Sequence, residues 1–241
     1  GADIDALLRF YRLGHRYFST RWSEALLELV EDSERLSSVL RESTEFLFAY
    51  VDAVSSKVST EHIAERERRQ RRAAAVRRDA VASLLAGDPV DVAEVEKALG
   101  YRLDRPQVGF LCWTEGDDAR LEAAAQAVGA ALGASRPLLQ PEGRGVFAGW
   151  AAVTDEEAVD PSAVAIAVTA VAPDVQVALG DAGSGVDGFR RTRERAEGAR
   201  RVAELSGRRS PSVIRWADVA LVDALSANLD AARALVHAEL G

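Results

Sequence analysis

The feature that most constrains the fold of this chain is a change of sequence pattern at Gly87-Asp88-Pro89. On the amino-terminal side, apolar residues recur at three- and four-residue spacing with almost no glycine or proline, which is typical of amphipathic helices. On the other side, short apolar runs alternate with glycine-rich turns, which indicates strands mixed with helices. The chain is therefore predicted to be an α+β protein with a helical region followed by a sheet region.

The helical side divides into two parts. Residues 1–60 are predicted to form an N-terminal helical bundle, because their apolar residues repeat at helical spacing. Residues 61–88 are predicted to form a linker helix, because the first half is rich in arginine and glutamate and has no apolar stripe. The second half regains a stripe through Val76, Ala80 and Leu84.

The sheet side is predicted to be one ferredoxin-like domain over residues 89–216, followed by a C-terminal helix over 217–241. The order β-α-β-β-α-β gives an antiparallel sheet with helices on one face, and a further helix and strand complete the domain. The predicted strands lie at residues 107–113, 138–141, 146–153, 175–179 and 213–216, and the predicted helices at 121–132, 162–171 and 189–205.

Composition and net charge limit the classes of protein to which this chain can belong. The formal net charge is -8 at pH 7, so we expect that this chain does not itself contact DNA, which favours basic surfaces. The single cysteine, Cys112, excludes an intrachain disulfide and favours a reducing cytoplasm. No apolar run approaches the roughly 20 residues of a membrane span, so no membrane association is expected.

A glycine-rich segment, Gly183-Ser184-Gly185-Val186-Asp187-Gly188, has the spacing G-x-G-x-x-G and opens a predicted helix. A dinucleotide-binding motif belongs to the first strand of a parallel sheet, whereas this strand comes late in a mixed pattern. A tight strand-to-helix turn is the simpler interpretation, although an anion could still bind at the helix N-terminus. Gly183, Ser184 and Gly185 are therefore candidate ligand-binding residues.

Reactive side chains are sparse. The three histidines are far apart in sequence and lack metal-ligand spacing, and Cys112 lies in an apolar strand, where a thiol is usually inert. Serine, histidine and acidic residues form no arrangement that suggests nucleophilic catalysis. We predict no catalytic residue, no metal and no cofactor.

Two segments, residues 77–113 and 175–207, resemble the central domain of PucR/CdaR-type transcription regulators. The resemblance includes a glycine-rich loop after a strand and a helix in which Thr192, Ala196 and Ala199 match the family. The pattern from Tyr11 to His15 with Trp22 resembles the N-terminal domain of RsbT co-antagonist proteins, which often precedes the central domain in actinobacterial members. This resemblance implies a regulator whose helix-turn-helix domain follows Gly241.

The central domain of that family is related to GGDEF diguanylate cyclases, whose hairpin turn carries acidic residues that bind metal ions. The corresponding turn here is Glu142-Gly143-Arg144-Gly145. Arginine has no oxygen ligand to offer Mg²⁺, and without that acid Glu115, Asp117 and Asp118 are not expected to complete a two-metal site. The resemblance therefore implies no cyclase activity and leaves Arg144 as a candidate for binding an anionic ligand.

Together, these observations predict the signal-sensing and dimerisation part of a bacterial transcription regulator, with a possible small-molecule effector. A homodimer is expected through the helix at 189–205, through the stripe at Val76, Ala80 and Leu84, or through both. Two alternatives remain open at this point. One is a nucleotide-binding GGDEF-type signalling domain, and the other is a partner-switching protein that acts through its N-terminal bundle.

Overall fold

The structure is a computed structural model that describes residues 4–116, 118–154, 159–207 and 213–226. The chain forms two compact units, Gly1–Ala74 and Ala75–Gly241. Within the described residues, every helix is too short or too polar to cross a membrane.

The first unit consists of helix α1, Ile4–Leu29, and the first part of helix α2, Ser33–Ala86. The linker helix that we predicted over residues 61–88 thus begins far upstream, at Ser33, and ends at Ala86. Asp32 caps it, because its carboxylate accepts hydrogen bonds from the backbone N–H groups of Glu34 and Arg35 at 2.9 and 3.2 Å. The polar stretch stays helical with the help of i,i+3 and i,i+4 ion pairs, which join Glu65 to Arg68 and Arg69, and Glu67 to Arg71.

Helices α1 and α2 form an antiparallel hairpin. His15 of α1 packs against Phe48 of α2 with ring centroids 5.5 Å apart, and Tyr11 of α1 and Tyr50 of α2 line one groove together with His15. Two helices alone enclose little volume, and Leu26 is the one buried hydrophobic residue among those whose side chains are described in this unit.

The second unit is built on a five-stranded sheet with the strand order β2-β3-β1-β4-β5. The strands are β1 Gln107–Trp113, β2 Leu138–Pro141, β3 Val146–Ala152, β4 Gln176–Gly183 and β5 Val213–Arg215. The helices are α3 Val92–Leu99, α4 Leu121–Ala131, α5 Pro161–Val171, α6 Gly185–Leu205 and α7 Trp216–Ser226. The rest of the predicted C-terminal helix, from residue 227, lies outside the described residues.

The sheet is mixed, which corrects the prediction of an antiparallel sheet. Strands β1, β3 and β2 pair antiparallel, as do β1 and β4, but β5 pairs parallel to β4. Helix α6 connects β4 to β5 and returns the chain to the end of the sheet at which β4 begins. Strand β5 therefore runs in the same direction as β4.

Helices cover both faces of the sheet, so the prediction of helices on one face was wrong. All seven residues of β1 are buried, as expected of a strand enclosed on both sides. Leu111 and Trp113 face a core that includes α6 and the end of α2, whereas Phe110 and Cys112 face a core formed with α4 and α5. The run QVGFLCW has no alternation of polar and apolar residues, which fits burial on both faces, although from the sequence we predicted only a strand there.

Helix α6 lies unusually close to the sheet. A Cβ atom added to Gly180 would lie 2.0 Å from the backbone oxygen of Thr192, and one added to Gly109 would lie 3.0 Å from the Thr192 methyl group. The ladder between β1 and β4 is irregular between Val108 and Phe110. The N–H of Gly109 instead donates to the Thr192 hydroxyl at 2.7 Å, which explains why a small hydroxyl residue occupies this position of the helix.

The two surfaces that we expected to mediate a dimer pack largely against other parts of the same chain. The small-residue face of α6, with Ala196 and Ala199, is fully buried. Leu84 is also fully buried, and Ala80 packs against the same core. Ala196, Ala199 and Leu84 therefore cannot form a dimer interface, whereas Val76 of the same stripe is 55% exposed, and the dimer itself remains a prediction.

Candidate functional site

The candidate site lies where strand β1 ends beside the β2–β3 turn. Trp113, the last residue of β1, pairs with Val146, the first residue of β3. The pairing continues past the strand, because the N–H of Thr114 donates to the carbonyl of Gly145 at 3.1 Å. Gly143 and Gly145 close the turn with φ angles of +70° and +74°, a left-handed conformation that glycine adopts without strain.

A cleft of about 870 Å³ opens beside this turn. Its walls come from the end of β1, the turn, the start of β4 and the last turns of α6. They are formed by Trp113, Thr114, Glu115, Gly116, Arg144, Gly145, Val146, Asp174, Gln176, Arg200, Ala203, Glu204 and Gly207. A cleft of this size suits a small molecule.

Within the described part of the chain, some charged side chains of the cleft contact other side chains of the protein, and others do not. The guanidinium of Arg200 lies 5.5 Å from the centre of the Trp113 ring, and its Nε donates to Glu204 at 2.8 Å. Asp174 accepts a long hydrogen bond, 3.4 Å, from the Thr114 hydroxyl. Arg144 and Glu115 are exposed and have no partner among the residues that the structure describes. These two side chains are therefore available to a ligand.

Glu142, the acidic residue of the turn, is paired with a side chain of helix α6. Its carboxylate accepts a hydrogen bond at 2.5 Å from Arg193 of α6, whose side chain is only 6% exposed. Glu197 lies 2.6 Å from the same guanidinium. Since a buried arginine needs a paired charge, we assign Glu142 a structural role that ties the turn to α6.

The metal site of a cyclase has no counterpart in the described part of the chain. Among those residues, no group of three or more His, Cys, Asp or Glu side chains lies close enough together to hold an ion. Asp117 and the side chain of Asp118 lie outside the described residues. Arg144 projects a cation from the turn position where a metal-binding cyclase carries a carboxylate, and a cation repels a second cation.

The glycine-rich loop lies at the other end of the sheet. Gly183 pairs with Gln107, the first residue of β1, whereas Arg144 adjoins the last, so the two places are separated by the length of a seven-residue strand, about 20 Å. The N–H of Gly185 donates to the carbonyl of Leu103 at 2.7 Å. Ser184 precedes the helix as its N-cap and makes no side-chain capping bond.

Close packing between the loop and the start of helix α6 explains why positions 183 and 188 are glycine. A Cβ on Gly183 would lie 2.9 Å from the Cα of Gly188, and one on Gly188 would lie 2.5 Å from the carbonyl carbon of Gly183. The loop is thus the tight strand-to-helix turn that we considered the simpler interpretation. Gly183, Ser184 and Gly185 do not join Arg144 in one site, and as ligand-binding residues they remain a prediction.

Sequence reasoning missed most of the cleft. Trp113, Asp174 and Arg200 belong to three segments that only the sheet and α6 bring together. Cys112 behaves as expected of a core residue, because full burial raises the pKa of its thiol far above the usual value.

Comparison with known proteins gives two matches within the chain. Residues 83–202 match the model of the GGDEF-like domain. Residues 1–77 match the RsbT co-antagonist protein rsbRD N-terminal domain. These matches confirm the two domain resemblances inferred from the sequence, whereas membership of the PucR/CdaR regulators remains a prediction.

The solved structures include a regulator of polyketide synthase expression from Bifidobacterium adolescentis. The two chains are 20% identical, the TM-score is 0.42, and the alignment covers 54% of this chain and 54% of the other. This chain thus spans about half the length of that regulator. The comparison with curated proteins gives no match.

Proposed function

We propose that this chain is the signal-sensing and dimerising part of a bacterial transcription regulator of the PucR/CdaR type. It controls a helix-turn-helix domain elsewhere in the same protein in response to a small-molecule effector. The cleft beside the β2–β3 turn is the observation that carries the proposal. It adjoins the turn that, by the resemblance, corresponds to the metal-binding turn of a cyclase, yet Arg144 stands there in place of a carboxylate and Arg193 pairs with Glu142. Such a cleft suits binding without turnover.

The available groups indicate the chemistry of the effector. Arg144 presents the planar set of N–H donors that matches a carboxylate or phosphate. Glu115, on the neighbouring wall, accepts hydrogen bonds from an amine or amide. We infer a polar effector that carries an anionic group toward the turn.

If a separate domain binds DNA, this chain alone and the full protein should differ in DNA binding. This chain alone, with its net charge of -8, should show no salt-sensitive binding to a DNA fragment from upstream of its own gene. The full protein should bind that fragment, and binding should weaken as salt rises, because counterions are released from the phosphates. Fluorescence anisotropy at several salt concentrations measures both. Sequence-specific binding by this chain alone would overturn the proposal.

A nucleotide-binding signalling domain is the second candidate, and the unpaired cation at Arg144 favours it. We expect that GTP with Mg²⁺ or Mn²⁺ gives no cyclic dinucleotide, because the turn lacks its metal-binding acid. Mass spectrometry of the reaction, with an active cyclase as the positive control, tests this expectation. If GTP binds without turnover, Arg144→Ala should weaken binding roughly 10- to 100-fold, as for the loss of a charged hydrogen bond. Steady product formation would contradict the regulatory assignment.

A third candidate is a partner-switching protein that acts through α1 and α2. The match of residues 1–77 to the RsbT co-antagonist domain supports it. A surface that serves a different protein is free in the isolated chain, whereas a dimer interface is covered. The mass measurement described in the next section separates the two cases.

A further inference from the structure

The helical hairpin of the first unit exposes an unusual amount of aromatic surface. Phe10 is 76% exposed, Phe46 70%, Tyr50 54% and Phe18 51%. We call these four residues the aromatic face. Single exposed apolar residues are common on proteins, but a contiguous apolar patch of this kind marks an interaction surface.

The aromatic face is contiguous because its members line one groove between α1 and α2. The groove has a volume of about 570 Å³ and is also lined by Tyr11, Gly14, His15, Leu47 and Val51. Trp22 extends it, since its ring stacks on that of Phe18 with centroids 6.3 Å apart. A Cβ atom added to Gly14 would meet nothing within 4 Å, so the middle of the groove is open to an incoming side chain.

Charged residues lie on a different side of α1. Arg9, Arg12 and Arg16 line a separate groove together with Leu13. The residues that line the aromatic groove include no acidic or basic side chain other than His15. The hairpin therefore has one open apolar groove, between α1 and α2, and these three arginines of α1 lie away from it.

The exposed area matches what a dimer needs. Aromatic side chains bury about 150–250 Å² each when covered, so the exposed fractions of the aromatic face and Trp22 offer roughly 600 Å² per chain. Neighbouring aliphatic atoms bring this close to the about 800 Å² per partner of a stable complex. A two-fold axis would pair the same face of both copies and close the interface.

The charge of the hairpin also permits two copies to meet. Residues 1–74 contain twelve Lys or Arg and thirteen Asp or Glu, a net charge of -1. The remaining residues carry the rest of the chain's net charge of -8. Repulsion between two copies is therefore concentrated in the second unit, and the hairpin is the part of the chain that self-association costs least.

We propose that the aromatic face is the surface through which two copies of this chain associate, and that the two hairpins form a four-helix bundle. Four helices enclose the core that two helices cannot, because the open groove of each hairpin is then covered by the other hairpin. This deepens the proposed function, on whose dimer it rests, by naming the interface.

The mass of the full chain in solution tests the proposal. Sedimentation equilibrium at micromolar concentration should give twice the 25.9 kDa mass of one chain. Phe10→Glu and Phe46→Glu should each weaken association at least 100-fold and give a single-chain mass. Leu13→Glu is the matched control, because Leu13 is 58% exposed on the same helix but lines the other groove. It should leave the dimer intact.

A further variant distinguishes a loss of the interface from an unfolding of the hairpin. Gly14→Arg removes no packing and improves helix propensity, but it places a charge in the middle of the aromatic groove. Its circular dichroism should equal or exceed that of the wild type while its mass falls to that of one chain.

A wild-type chain that stays at 25.9 kDa would overturn the proposal and would favour a different protein as the occupant of the aromatic face. Dimers that persist in Phe10→Glu, Phe46→Glu and Gly14→Arg would overturn it as well. Since the masses are measured without DNA, neither outcome alters the DNA-binding test of the proposed function.

Discussion

Replacing Gly180 with alanine should lower the free energy of unfolding of the sheet unit by about 3 kcal/mol or more, the upper range for an overpacked core. The added methyl carbon would lie 2.0 Å from the backbone oxygen of Thr192 and 2.7 Å from its hydroxyl oxygen. Neither atom belongs to a flexible side-chain end. Helix α6 would have to move away from strand β4, and the hydrogen bond from Gly109 to the Thr192 hydroxyl would be lost with it.

Thermal unfolding followed by circular dichroism measures this effect. For a unit of this size the expected loss corresponds to a Tm lower by roughly 6–12 °C. Gly116→Ala is the matched control, since a Cβ there would have its nearest neighbour, a carboxylate oxygen of Asp174, at an ordinary 3.5 Å. Its stability should stay within about 0.5 kcal/mol of the wild type. Equal Tm values for the two variants would show that α6 does not pack on β4 as described.

Trp150→Ala should cost about 3–5 kcal/mol of stability, the usual range for removing a buried tryptophan. Trp150 is fully buried in strand β3. Its ring stacks on Phe189 of α6 with centroids 4.1 Å apart and an interplanar angle of 8°, and its indole N–H donates to the Phe189 carbonyl at 3.1 Å. The change therefore removes a large apolar contact, an aromatic stack and a buried hydrogen bond at once.

Urea unfolding at equilibrium separates these contributions. Trp150→Phe keeps most of the ring stack and loses the hydrogen bond, so we expect a smaller loss of about 1–2 kcal/mol. Ile166→Ala removes an apolar side chain that is 73% exposed on helix α5, and it should change stability by less than about 0.5 kcal/mol. A Trp150→Ala variant as stable as Ile166→Ala would rule out the packing of β3 against α6.

Local patterns predicted most of the elements of the sheet unit. Strands β1 and β2 have the predicted bounds, and β3 and α5 differ from them by one residue. Helix α6 begins four residues earlier than predicted, at Gly185 rather than Phe189. The glycine-rich segment before it looks like a loop, yet Gly183 still pairs with β1 and Gly185 already starts the helix.

The pairing of strands was less predictable. The direction of β5 depends on where α6 delivers the chain, and that depends on how closely the helix can approach the sheet. Gly109, Gly180 and Thr192 permit this approach, but they are separated in sequence by up to 83 residues. Each alone resembles an ordinary strand or helix residue, so no local pattern reveals their contact.

For the site, the sequence alone showed an arginine, Arg144, in the turn Glu142-Gly143-Arg144-Gly145 where the resemblance to cyclases predicts a metal-binding acid, which made Arg144 a candidate for binding an anion. Only the tertiary structure decided that Glu142 is paired with Arg193, and that Trp113, Asp174 and Arg200 share a cleft with Arg144. The physical reason is that residue type and spacing set local conformation and chemistry. Burial, charge pairing and the shape of a cleft depend on contacts between distant segments, and those contacts exist only once the sheet and α6 are packed together.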